Sequence, residues 1–360
     1  MIRGRRTTAA TPVTAFFVIA VALAAMAGQP RSDERFGSVV EVTRIITEVR
    51  VVDRDGHPVP GLGPDDFRVT VSGRPAKVES ASWVPSGVNA AETELEPVAD
   101  SDPAELGHSP AEGRLVVLVV QHDPAPRISR NSGLLKIAPH AQQFVQSLGP
   151  RDRLALFVFG SHLQLRSDFT DRHDDVSVML APTEIISGEL PPPSPSGPSL
   201  AAHLDRTEMR KAATMSRALE LVGRALQPIE GTKSLIFVGF ALGRLTAGPR
   251  VTVGDQYRRA MEALTAARTS VFALDICDAD SHSLELGMRI LSQDTGGFYI
   301  KTHIFPEVAV QQLARVISSY YELSVVPPET TGDRYTIKVK VKRPGTDVYV
   351  RQYYPSSYRW

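Results

Sequence analysis

The stretch Arg114–Ser129, RLVVLVVQHDPAPRIS, decides the fold. From Leu115 to Val120 it is apolar at consecutive rather than alternate positions, which marks a strand buried on both faces, as inside a parallel sheet. A helical stretch, 134–148, follows, and then a second apolar run, 153–159. The alternation continues. Buried strands are expected at 115–121, 153–159, 234–239, 270–275 and 297–300, with helices near 134–148, 206–227, 256–268, 282–293 and 306–319. This order predicts an α/β domain over 114–319, with a mostly parallel sheet and helices on both faces. Ligands of such open sheets sit in the crevice beyond the carboxyl ends of the strands. Gln121, His122, Asp123, Pro124 and Ala125 therefore stand where function is normally written.

Within that domain Met209, Ala212, Met215, Leu219, Val222 and Leu226 form one apolar stripe on the helix from Arg206. Asp205, with Glu208 three residues later, reads as a capping-box start. The segment Pro182–Ser199 contains Pro191-Pro192-Pro193-Ser194-Pro195 and reads as a loop, because such a run resists helix and sheet and favours polyproline geometry. It is either a lip for a partner or an insertion without a role. Gly296-Gly297 before Phe298 reads as a tight turn into the last strand.

Both ends of the chain are β-rich. Over 39–85, Asp55-Gly56 and Ser72-Gly73 signal turns, and Phe67, Val69 and Val71 alternate with Arg68 and Thr70. Over 320–354, Tyr335, Ile337, Val339 and Val341 alternate with Thr336, Lys338, Lys340 and Lys342, and Pro344-Gly345 reads as a hairpin turn into Val348–Arg351. The N-terminal segment is too small to bury a core alone, so the two ends are expected to pair into a small antiparallel β-sandwich. The three lysines read as a guard against edge-to-edge aggregation rather than as a polyanion site. Tyr353, Tyr354, Tyr358 and Trp360 suit either packing or a partner. Between 86 and 113 lie seven acidic residues and no lysine or arginine, the composition of a solvated flexible linker.

Composition sets outer bounds. The 360 residues are 42% hydrophobic, and 40 basic side chains balance 40 acidic ones. A large core is affordable, and nothing draws the chain electrostatically to nucleic acid or an anionic membrane. Arg3, Arg5 and Arg6 precede the apolar run Val13–Ala24, which ends in Ala25-Met26-Ala27. That is the layout of a signal peptide over 1–27. The expectation is export to the periplasm or beyond the cell, with no stable membrane insertion after cleavage; an uncleaved inner-membrane anchor is the alternative. Cys277 is the only cysteine, so an internal disulfide is excluded, and its place at a strand end suits a packed small hydrophobe.

Two clusters carry candidate chemistry. Asp275, Asp278, Asp280 and His282, at a strand end and helix start, offer oxygen and imidazole ligands for a cation. The same residues also suit capping and the helix dipole. His122 and Asp123 invite a hydrolytic reading, but a base needs a placed nucleophile, and Ser129 follows only after two prolines. No nucleophile elbow, phosphate-binding loop or His-Glu-x-x-His is present. A non-enzymatic protein is expected.

VVDRDGHPVPGLGPDDFRVTVSG at 51–73, the strand at 115–121, SDFTD at 167–171, FALDICDADSHSLELG at 272–287 and DTGGFYIKTHIFPEVAVQQLARVISSYYELSV at 294–325 together resemble a von Willebrand factor A (VWA) domain. More narrowly, Val39–Tyr354 looks like the VWFA-related domain of secreted acidobacterial-type proteins. The resemblance implies a Rossmann-like, doubly wound sheet in which strand 270–275 lies two places from strand 115–121, roughly 10 Å away. It also implies a metal-ion-dependent adhesion site: Asp-x-Ser-x-Ser after the first strand, a loop threonine, and an aspartate after the fourth strand. Here those positions fall on Gln121, Asp123, Ala125 and Gly239, and only Thr207 or Ser199 is available for the loop. Mg²⁺ wants near-octahedral oxygen ligands including carboxylate. Gln121 offers one amide oxygen, while Ala125 and Gly239 offer none. The motif reads as degenerate and no cofactor is expected; substitute ligands for Mg²⁺ or Ca²⁺ would come from Asp123, Thr207, Asp278 and Asp280. The resulting expectation is a metal-independent module that binds another protein or a cell-surface ligand. Its face would comprise Gln121, His122, Asp123, Arg127, Ser129, Phe240, Arg244, Asp278, Asp280 and His282. A metal-dependent adhesion module and a hydrolase are the alternatives.

Overall fold

The computed structural model describes residues 44–85, 113–123, 128–187, 195–245, 251–252, 254–279, 282–328 and 334–355. The expected signal peptide, the linker up to 112, Arg127, Asp280, Tyr358, Trp360 and residues 188–194, which hold all of the proline run but Pro195, lie outside them. The chain opens with β1 (Ile45–Asp53), β2 (Phe67–Val71) and β3 (Arg74–Pro85). It continues through β4 (Leu115–Gln121), α1 (Ile128–Gln146), β5 (Arg153–Phe159), β6 (Leu163–Thr170), α2 (His173–Met179) and α3 (Pro182–Ser187). Next come α4 (Arg206–Lys211), α5 (Met215–Leu226), β7 (Lys233–Gly239), β8 (Arg244–Leu245), β9 (Val251–Thr252) and α6 (Gly254–Ala266). Then follow β10 (Thr269–Asp275), α7 (Glu285–Thr295), β11 (Tyr299–Lys301) and α8 (Pro306–Val316). The chain closes with β12 (Ser319–Val326), β13 (Arg334–Val341), β14 (Thr346–Val350) and β15 (Tyr353–Pro355).

Six strands form one mixed α/β sheet in the order β11-β10-β7-β4-β5-β6. All neighbours are parallel except β6, which runs antiparallel to β5 at the edge. The uninterrupted apolar runs have the expected cause. Val117, Val119, Phe157, Phe237 and Ala273 share one core with residues of α5, α6 and α7. Val116, Leu118, Val120, Val158, Val238 and Leu274 share the other with α1, α2 and α8. Helices thus cover both faces, and every residue of β4, β7 and β10 is buried.

Several elements differ from their sequence-based expectation. The single helix expected over 206–227 is two helices. Asp205 caps the first through Thr207 N at 2.6 Å and Glu208 N at 3.3 Å, but Glu208 turns to Arg217 and Lys211 instead of closing a box. Thr214 then takes an extended conformation and caps a new start by accepting from Arg217 N at 3.2 Å. Part of the expected 182–199 loop is helical, because Pro182 stands at the first position of α3, where its missing N–H costs nothing. Gly296 does end α7, with φ at +82°.

The two ends of the chain join in a seven-stranded antiparallel sheet of order β14-β1-β12-β3-β2-β13-β15. Its interior gathers Val49, Val51, Val69, Val71, Tyr321, Leu323, Ile337 and Tyr354. The expected hairpin at Pro344-Gly345 does not form. β13 pairs with β2 and β15, whereas β14 pairs with β1 at the other end of the strand order; the short 342–345 link cannot span a flat sheet of this width, so the sheet curls and brings β13 and β14 close without pairing them. The alternation in β13 is nevertheless as read, with Ile337 and Val339 buried and Lys338 and Lys340 exposed. Where this sheet meets the starts of β7 and β10, buried charges interlock. Arg268 reaches Glu322 at 3.4 Å and Glu48 at 3.8 Å, and Arg50 donates to Ser270 Oγ while lying over the Phe272 and Tyr320 rings. Burial pulls the Lys233 amine down to about 8, beside Arg268, although it donates to the Ile229 and Ala267 carbonyls.

Candidate functional site

Three adjacent strands, β10, β7 and β4, end side by side, and their following turns build the crevice. Gln121 closes β4 with a buried side chain whose Oε1 accepts from the backbone N–H of both Phe240 and Ala241, each at 3.1 Å. That brings the turn after β7 onto β4. Gly239 permits it: a Cβ there would lie 2.8 Å from Gln121 Oε1 and 2.6 Å from the Phe237 ring. Its carbonyl in turn accepts from Ile276 N at 2.9 Å, joining the turn after β10. Hydrogen bonds from these backbone and side-chain groups thus join the three strand ends. Phe240 is half-buried against the core beneath α1 and α8.

His122 follows with its backbone N–H on the Phe159 carbonyl at 3.0 Å. Its ring lies against Gly160, where a Cβ would come within 2.4 Å of Nε2. Burial lowers its pKa, with Asp123 pulling the other way, so the balance favours the neutral ring. Asp123 is buried as well. Ser129 lies in the first turn of α1 and Arg244 in β8, but their side chains are outside the described residues.

The acidic cluster divides. Asp275, buried at the end of β10, accepts from Tyr299 Oη at 2.5 Å and Cys277 N at 3.0 Å, and pairs with His282 Nε2 at 2.8 Å. Burial and the Asp275 carboxylate drive the Tyr299 phenol strongly upward, keeping it a donor. Glu285 joins them: one oxygen or nitrogen from each of Asp275, His282 and Glu285 lies within 4.8 Å of the others. Burial works to raise the Glu285 pKa, but the Lys301 ammonium at 2.7 Å, the His282 backbone N–H and Arg289 outweigh it and hold the carboxyl down. Asp278 does not belong to this group. It turns to α1, ion-paired with Lys136 at 2.9 Å and hydrogen-bonded to Ser132 Oγ. Cys277 is half-buried, and desolvation raises its thiol pKa, which keeps it protonated. Among the described residues no hydroxyl or thiol is hydrogen-bonded to the His282 ring.

The donor set does not fit a divalent ion of the adhesion-site kind. The Gln121 oxygen already takes two N–H donors, Gly239 has no side chain, and Glu285 already holds two cations. Neither candidate for the loop position is free to help. Ser199 Oγ donates to the buried Asp168 carboxylate at 2.7 Å, and Thr207 sits on α4, which packs on β6 and α5. β6 lies two strands from β4.

An apolar patch at this end of the molecule was not expected from sequence. Beyond β11, Ile304, Phe305 and Val308 are exposed by 61%, 67% and 57%, and Leu286 on α7 by 46%. Thr302 fixes the start of this turn by donating its N–H and hydroxyl to the Asp275 carbonyl, both at 2.9 Å. The signal was present as Ile304-Phe305 directly before Pro306, two large apolar residues ahead of a helix start.

No family model and no curated protein matches the chain. Solved structures do. An aerotolerance-related membrane protein from Bacteroides fragilis aligns at 12% identity and a TM-score of 0.38, over 57% of this chain and 98% of its own. BatB from Bacteroides thetaiotaomicron aligns at 14% and 0.39, over 57% and 99%. The ArnB paralog VWA2 from Sulfolobus acidocaldarius aligns at 11% and 0.35, over 88% and 77%. All three are distant similarities.

Proposed function

We propose that this chain is an exported, VWA-like binding module that engages another protein or a cell-surface ligand without a metal ion and without chemistry. The observation that carries this reading is the character of the carboxyl-end face. Exposed Ile304, Phe305 and Val308 follow β11, next to β10, at the same end of the sheet as the β4 and β7 ends that Gln121 closes. Large apolar groups exposed together favour a protein partner. With the Gln121 oxygen filled, affinity comes from shape, apolar contact and hydrogen bonds rather than from an ion shared with the ligand. His122 is half-buried, and its lowered pKa favours a ring that adds surface without charge. Asp278 and Lys136 offer a polar rim. Among the described residues no helix is long and apolar enough to cross a membrane.

Capture experiments test this. The immobilised full chain is expected to retain a partner from an extracellular or envelope fraction equally in EDTA and in Mg²⁺. Phe305→Glu with Val308→Glu is expected to reduce that retention at least tenfold, about 1.4 kcal/mol, while leaving the unfolding midpoint within a degree or two. Retention abolished by EDTA would contradict the reading.

A further inference from the structure

A groove of about 310 Å³ lies between the start of β6 and helix α4, lined by Leu163, Leu165, Leu204, Met209, Arg206 and Arg210. We propose that it binds a short extended segment of a partner protein, in which an apolar side chain is flanked by carboxylates. This rests on the binding role proposed above but uses another surface.

Three observations converge on that ligand. First, β6 is the last strand of its sheet among the described residues; the Phe169 carbonyl at its far end takes the Ser196 N–H at 3.0 Å, but no described strand pairs with its outer edge at Leu163–Leu165. An edge of this kind presents backbone N–H and C=O groups that an extended peptide can pair with. Second, the floor is apolar: Leu165, Leu204 and Met209 are partly buried, packed on the main core, and leave room for one inserted side chain. Third, the rim is cationic. Arg206 and Arg210 are exposed and have no acidic partner among the described residues, while the nearest acid on the same helix, Glu208, is taken by Arg217 at 2.6 Å and Lys211 at 3.7 Å. Two uncommitted guanidinium groups beside an apolar slot select carboxylates, to which arginine binds in a two-pronged geometry. The wall is rigid. Asp168 at the far end of β6 takes the backbone N–H groups of Leu200 and Ala201 at 2.7 and 3.2 Å, and Ala201 lines the groove.

A random peptide display library selected against the full chain tests this. The enriched peptides are expected to carry Asp or Glu next to a large aliphatic or aromatic residue, and to slow amide exchange in Leu163–Leu165. Binding should fall at least tenfold in Arg206→Glu/Arg210→Glu and should stay unchanged in Phe305→Glu/Val308→Glu. Absence of enrichment, enrichment of basic peptides, or insensitivity to the arginine variant overturns the proposal. Peptides that bind the wild type and the arginine variant but fail on the Phe305 variant overturn the groove alone and leave the wider binding role standing.

Discussion

Gly239→Asp, which places here the residue type that the resemblance to metal-binding VWA domains implies after this strand, is expected to destabilise the chain by about 3 kcal/mol or more. Two effects act together. Any Cβ at this position meets the Phe237 ring at 2.6 Å and Gln121 Oε1 at 2.8 Å, so the side chains of a packed strand end must move. The new carboxylate is also buried next to an existing one, because Gly239 is the register partner of Asp275 in β10. Two like charges in one buried place resist ionisation. The folded-state pKa of the new group would therefore lie above its unfolded value, and the loss should deepen as pH rises from 4 toward 7. Urea unfolding at both pH values reads this out, and added Mg²⁺ should not restore the midpoint. Recovery in Mg²⁺ would mean that the crevice still assembles an ion site when its carboxylate is returned.

Asp168→Ala is expected to cost about 3 kcal/mol, because it leaves several donors without an acceptor. Asp168, buried in β6, accepts from Phe169 N at 2.9 Å, Leu200 N at 2.7 Å, Ala201 N at 3.2 Å and Ser199 Oγ at 2.7 Å. Leu200 and Phe169 are fully buried, so water does not replace the lost acceptor. Asp168→Asn keeps one carbonyl oxygen and should recover part of the loss. The effect should also be local: amide exchange at Leu200–Leu204 should accelerate more than in β4, because this carboxylate fastens the segment that walls the groove. Equal acceleration in both places, or a loss below about 1 kcal/mol, would show that the carboxylate has little part in holding that wall.

The reading of the fold from sequence succeeded where burial is symmetric. β4, β5, β7 and β10 are apolar on both sides, and a run such as Leu115–Val120 leaves no other placement. It failed where polar side chains are buried, since β6 contains Arg166, Ser167 and Asp168 and does not look like a strand until their partners are known. It failed again where capping overrides periodicity, at Thr214, and where a turn signal joins strands that never pair, at Pro344-Gly345.

The site was legible as a place and not as an arrangement. Position after β4 and β10 singled out Gln121 and the Asp275–His282 pair. The bonds that these side chains make reach residues far along the chain: Gln121 to Phe240, Asp275 to Tyr299, Asp278 to Lys136. Spacing carries no trace of such contacts. Asp278 and His282, four residues apart, accordingly face different neighbours, although together they looked like one ligand set.

Metal independence is the centre of this account, and thermal unfolding of the full chain in EDTA, and then with Mg²⁺, Mn²⁺ or Ca²⁺, tests it most directly. A ligand bound only by the native state, at one hundred times its dissociation constant, adds about 2.7 kcal/mol and moves the midpoint by several degrees. With the Gln121 oxygen already occupied by Phe240 and Ala241, no cation is expected to shift it. A shift of several degrees with any of the three ions, lost in Asp123→Ala, would contradict the account and return the crevice to metal-dependent adhesion.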